Sequence, residues 1–150
     1  FLAKKLKLKL KNYSNFVKYN LIKMDNIKEA YRYLNNAKDI LSTKAEKQDG
    51  FYQDKKYVRL AGHAAYMAVL VALDELLGKE TKGRKSAKWY EEQLTKLDKK
   101  ALNLFNYAYD TLHLAMAYDG NQDAGVSQAG LNTAERIISW VETKLELQAA

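Results

Sequence analysis

An all-α fold, an up-and-down bundle of four long antiparallel helices plus one short helix, is what this sequence predicts, and three observations carry the prediction. Apolar residues recur at intervals of three and four through most of the chain, the period of an amphipathic helix. No proline occurs among the 150 residues, and the seven glycines fall mainly where helices would end or loops run. No strand pattern competes, and no internal repeat is evident.

The elements follow in order. Asp25 can cap a first helix in which Ile27, Ala30, Tyr31, Leu34, Ala37 and Leu41 form the apolar stripe, fading near Lys47 before Gln48-Asp49-Gly50. A second helix spans about Asp54 to Leu77 and stops at Gly78. Its alanines at 61, 64, 65, 68 and 72, with Gly62, let neighbouring backbones approach, while Leu60, Val71 and Leu76 are expected to fill larger gaps. It is the expected central helix. Lys79 to Lys85 reads as a polar loop turning at Gly83, after which Ser86 caps a short helix with Ala87, Trp89, Tyr90, Leu94 and Leu97 as apolar positions. Asp98 caps a fourth helix striped by Leu102, Phe105, Ala108, Tyr109, Leu112 and Met116, which ends at the Asp119-Gly120-Asn121 turn. The last helix begins near Asp123 and carries Val126, Ala129, Ile137, Ile138, Val141 and Leu145, with Gly125 and Gly130 weakening its first turns. Short connections favour antiparallel neighbours.

Residues 1–23 stand apart. They hold seven lysines and no acid, which leaves eighteen basic and eighteen acidic side chains in residues 24–150, so the formal charge of +7 belongs to the leader and the body is neutral. A neutral body argues against a broad footprint on duplex nucleic acid. The leader is expected to be disordered or non-native upstream sequence, with Met24 as the true start; a basic arm for a membrane surface or an anionic partner is the alternative. Its Leu6, Leu8 and Leu10 alternate with lysine, a period that makes no helical apolar face. Neither a secretory nor an organellar targeting pattern fits. The most apolar run, Ala64 to Leu73, ends at Asp74, so no membrane span is expected. The chain has no cysteine, hence no disulfide framework, thiolate nucleophile or thiolate metal site, and a reducing cytoplasm is compatible. The body suffices for one hydrophobic core.

Candidate chemistry is confined to a few side chains. Arg59 and His63, four apart, share a helix face, and Asp110 and His113, three apart, share another. If the second and fourth helices are adjacent, these four converge with Tyr66 or Tyr109 into a site where Arg59 positions an anion and Asp110 sets a histidine tautomer for acid-base work. The structural alternative is a pair of partly buried histidines satisfied by a carboxylate or a tyrosine hydroxyl. An open cleft holding Arg59 and both histidines would favour the first. The sequence lacks Glu-x-x-His pairs, His-Glu-x-x-His and phosphate-cradling glycine motifs, so neither metal nor cofactor is expected. Lys82, Arg84 and Lys85 precede Trp89, basic residues beside an aromatic that could contact RNA or an acidic partner, with a solvated loop as the alternative. The acids of the 118–123 loop lack the spacing of a Ca2+ site and read as a turn with helix caps. Eleven tyrosines exceed what a small core hides, which suits an oligomer contact, or a ligand groove lined by Tyr31, Tyr66 and Tyr109.

The runs DGFYQDKKYVRLAGHAAYMAVLVALDELL and KGRKSAKWYEEQLTKLDKKALNLFNYAYDTLHLAMAYDGN resemble a family of short bacterial proteins known only as a domain of unknown function, over Met24 to Val141. That resemblance implies a small helical protein and no activity. More remotely, the helix order and the tyrosine and alanine pattern of the second helix resemble the HEPN superfamily of helical bundles, some of them RNases or partners of nucleotidyltransferases. Active members carry an arginine and, after four to six intervening residues, a histidine near the start of a late helix. Here three residues separate Arg59 from His63 on an early helix, and His113 has no such arginine, so no catalytic role is carried over. The sequence therefore predicts a cytoplasmic, non-enzymatic bundle that binds itself or another protein, with an RNA-processing or toxin-antitoxin-related site around Arg59, His63 and His113 as the alternative.

Overall fold

The computed structural model describes residues 1–78 and 84–150. The predicted positions Lys79, Lys82 and Gly83 lie outside them. Among the described residues five helices make up the body: α1 (Leu2–Thr43), α2 (Lys55–Leu77), α3 (Ala87–Leu97), α4 (Lys99–Ala108) and α5 (Ala124–Ala149), with α4 running straight into a π-helical segment, Tyr109–Tyr118. The fold is an all-α bundle.

Pairwise contacts fix its direction. Asn26 donates to Glu75 at 2.5 Å, joining the middle of α1 to the end of α2, while the Ala45 carbonyl after α1 accepts from Gln53 and Asp54 just before α2. These two helices are antiparallel. Tyr66 meets Tyr109 and His113, and Gly62 meets Leu112, Met116 and Ala117, so the π segment runs against α2. Gly130 packs on Thr111 and Leu112, while Lys38 pairs with Glu135 at 3.6 Å and Tyr31 donates to Glu142, which returns α5 along both the π segment and α1. The order is up, down, up, down, and the two parallel helices α2 and α5 also touch across the diagonal. Small residues allow it. Ala61, Gly62, Ala65, Ala68 and Ala72 of α2 and Gly130 and Ala134 of α5 are all buried, so backbones approach where larger side chains would hold them apart.

Of the caps the sequence predicts at helix starts, Ser86 and Asp98 act as expected, whereas Asp25 lies inside α1 and caps nothing; Asp54, expected only as an approximate start, is a cap as well. Asp54 accepts from Lys56 N–H, Ser86 from Trp89 N–H, Asp98 from Lys100 and Ala101 N–H, and Asp123 from Gly125 N–H, each satisfying donors that a helix start leaves free. Gly78 ends α2 with φ 91°, a conformation that costs a side chain dearly.

Several expectations are corrected. The leader is helical from Leu2, because lysine, leucine and alanine are strong helix formers and neither glycine nor proline interrupts residues 2–43. In that helix Leu6, Leu10, Tyr13, Val17 and Met24 do recur at helical spacing, in phase with buried Ile27, although every side chain up to Tyr19 is exposed. Gln48-Asp49-Gly50 is more than a break: Lys47–Gln48 (β1) and Phe51–Tyr52 (β2) pair antiparallel around Asp49 (φ 51°) and Gly50 (φ 82°), the two positive φ values of a type I′ turn. This hairpin docks on the loop before α5, with Tyr52 N–H donating to the Gln122 carbonyl and Ala124 N–H to that of Gly50. In α2 the gap-fillers are Val58, Val69 and Leu73, whereas Leu60 faces outward and Val71 is only partly covered. Leu97 is likewise exposed. In α5 the buried stripe starts at Ser127 and Gly130 instead of Val126 and Ala129, because Gly130 is where α5 closes on Leu112. Finally, α2 is long and apolar enough to cross a membrane by length and composition, contrary to the expectation that no stretch suffices. Here it packs against α1, α5 and the π segment.

Candidate functional site

The π segment and α2 position the aromatic side chains that the sequence singles out. A π-helix closes its hydrogen bonds one residue later than an α-helix, so its turn is wider and residues four apart stay nearly in register. Tyr109 and His113 exploit that register, with ring centroids 5.0 Å apart. Tyr66 stacks on His113 at 4.8 Å and meets Tyr109 edge-on at 6.1 Å, so three rings from two elements form one aromatic wall. Asp110 does not join it. The wider turn carries residues three apart onto different faces, and Asp110 is exposed with no bond to His113.

Arg59 is also elsewhere. It lies one α-helical turn before His63, over the end of the π segment, where a Cβ on Gly120 would meet its Nε at 3.1 Å. His63 is exposed and near enough to His113 to act on it electrostatically. The groove that His113 lines includes neither Arg59 nor His63.

What the structure does gather is unforeseen. A groove of about 390 Å³ between α2, the π segment and the start of α3 is lined by Tyr66, Tyr109 and His113 on one side and by Arg84, Lys85 and Ser86 on the other, with Leu70, Ala87 and Tyr90 between them. Two candidate sets that the sequence keeps separate thus share one site. Lys85 is already engaged, donating to Asp74 Oδ1 at 2.8 Å and lying 5.2 Å above the Trp89 ring. Tyr90 donates to the same oxygen at 2.7 Å, and burial followed by that bond pushes its phenol far above the ordinary range. Trp89 packs edge-on to Tyr90 and does not line the groove. Arg84 is exposed and has no charge partner among the described residues.

Two groups in the groove lack partners among the described residues. The Nδ1 of His113 is closed off from solvent without a hydrogen bond, and burial, with His63 second, holds the imidazole below its ordinary pKa. The Tyr66 hydroxyl bonds nothing either; burial raises its pKa to about 12, with Tyr109 and Glu91 contributing. Near neutral pH the wall therefore offers a neutral imidazole and an undissociated phenol. Tyr31, expected beside Tyr66 and Tyr109, is on α1 and donates to Glu142 instead. No three of His, Cys, Asp and Glu among the described residues come together as metal ligands would.

Residues 25–143 match the family described as Domain of unknown function (DUF5618). The chain belongs to that family. It is also similar to a protein of unknown function from Dyadobacter fermentans with a solved structure: 57% identity, covering 81% of this chain and 97% of that one, with a TM-score of 0.78. No curated protein matches. DUF5618 and the Dyadobacter protein are both described as of unknown function, so neither assigns a role to any side chain here, and the groove must be read from its own chemistry.

Proposed function

We propose that this DUF5618 protein acts by binding and not by catalysis, and that a second copy of the chain binds the outer face of α2. The supporting observation is that α2 is more apolar than its core contacts require: only 44% of its most apolar window is buried. Leu60 and Met67, 47% and 42% exposed, stand on the outward face, with Ala64, Leu70 and Val71 partly covered beside them. Such a surface on one long helix is of the kind that interfaces cover.

Charge favours a copy of the same helix as the occupant. Lys56 and Arg59 lie at the start of the face and Asp74 at its far end, and Asp74 uses Oδ1 for Lys85 and Tyr90, leaving Oδ2. Two α2 helices packed antiparallel about a two-fold axis would set Met67 on Met67, with Arg59 of each copy approaching Asp74 of the other. The surface is complementary to itself only in that direction.

Sedimentation equilibrium of the full chain, from micromolar to millimolar, tests the reading. A concentration-dependent dimer that Met67→Glu dissociates, with unchanged helix content by circular dichroism and with Lys28→Glu behaving as the parent, is the expected result. A monomer at every concentration, or a Met67→Glu variant that dimerises as well as the parent, overturns it.

A further inference from the structure

We propose that the groove between α2, the π segment and α3 binds a small organic anion that carries a flat ring. The inference does not depend on dimerisation. The volume, about 390 Å³, lies within the range of small-ligand sites, and its lining joins aromatic and apolar side chains to polar and charged ones in about equal share. The rings of Tyr66, Tyr109 and His113 supply a face and edges on which a flat ring stacks or packs edge-on.

The charge selects an anion. Of the two cations in the lining, Lys85 is neutralised by Asp74, whereas Arg84 has no partner among the described residues. Its planar guanidinium matches a carboxylate or a phosphate with two parallel hydrogen bonds. Among the described residues no carboxylate lines the groove to compete; Glu91 acts on Tyr66 from beyond the lining, and Asp74, also outside it, holds Lys85 and Tyr90 through Oδ1. The Tyr66 hydroxyl and the His113 ring supply the directional contacts. Nδ1 of His113 is closed to solvent, so the ring meets a ligand through the edge that lines the groove. Two sources share this chemistry, a free aromatic acid and a nucleotide, in which base and phosphate play the two parts.

NMR titration of the full chain, following the His113 ring and the Tyr66 ring, separates them. The probes are indole-3-acetate, adenosine monophosphate, indole-3-acetamide as the uncharged counterpart, and inorganic phosphate as the ring-free one. Saturable shifts with at least one of the first two are expected, with weaker binding of the amide and of phosphate alone; whichever saturates first names the source. Arg84→Gln, an exposed position that the fold does not depend on, should weaken the anion by about tenfold, the loss of one charge-assisted contact, and leave the amide unchanged. Tyr66→Phe keeps the ring and should weaken both. Absence of saturation by any probe, equal binding of amide and acid, or an Arg84→Gln variant that binds the acid as the parent does would overturn the proposal.

Discussion

His113 shows how much one side chain can report. Burial is the main cause of its lowered pKa, Tyr66 and Tyr109 enclose the ring, and His63, Arg84 and Lys85 are the cationic or titratable groups around it. The unfolded chain, with the ordinary value of 6.5, takes up its proton first as pH falls. The folded state is thus penalised increasingly from about that pH down to the folded pKa and by a constant amount below it. Proton NMR should place the His113 midpoint below the ordinary imidazole range, and His113→Gln should lose less stability than the parent on acidification; a midpoint at the ordinary value would contradict the geometry. Gly62 makes a second residue-scale case. A Cβ there would lie 2.6 Å from the Ala117 nitrogen and 2.8 Å from the Leu112 carbonyl oxygen, backbone atoms that cannot step aside. Gly62→Ala should cost about 1–3 kcal/mol in urea denaturation, the usual cost of overpacking, and a neutral result would mean that α2 and the π segment are farther apart. Tyr66, Tyr109 and His113 were legible as candidates because aromatic and titratable residues recur at helical spacing. Asp110 misled because the reading assumed α geometry along the whole fourth helix, and Arg59 because it lies over Gly120, at the end of the π segment and away from the aromatic wall.

At the scale of elements, local chemistry was legible and long-range geometry was not. Ser86 and Asp98 each cap the helix that the sequence assigns them, and Asp54 and Asp123 cap helices that it starts at or beside them, since the pattern of a short polar side chain before an apolar stripe is complete within one turn; Asp25 shows the same pattern inside a longer helix and caps nothing. Asp54→Ala should therefore cost about 1 kcal/mol in thermal or urea unfolding, whereas no loss would mean that water replaces the cap fully. For Asp98 the backbone N–H of Ala101, then that of Lys100, hold the carboxyl below its ordinary pKa despite the opposing effect of desolvation. Its contribution is present above the ordinary value and disappears as pH falls through the lowered one. The hairpin was invisible as strand because two residues on each side carry no alternation, although Asp49-Gly50 states its turn. The π segment was invisible for a different reason: its residues are as apolar and periodic as those of an α-helix, so nothing in their pattern marks the wider turn.

For the whole molecule, the alanines and Gly62 of α2 were the feature from which the architecture could be read, since a helix with small residues on one side and larger apolar ones on another demands neighbours all round. The sequence located the central helix but misjudged its phase, putting Leu60 and Val71 inside. Correcting that phase exposes the face on which the binding role rests. The chain has no native cysteine, so single cysteines can report on that face without interference. In the antiparallel pairing Met67 lies on the two-fold axis and meets its own copy, while Leu60 lies about two turns away and does not. The decisive measurement is oxidative cross-linking of Met67→Cys beside Leu60→Cys and Lys28→Cys, read as covalent dimer on a non-reducing gel. Rapid, nearly complete dimer for Met67→Cys alone is predicted. Cross-linking no faster than that of Lys28→Cys would contradict the account.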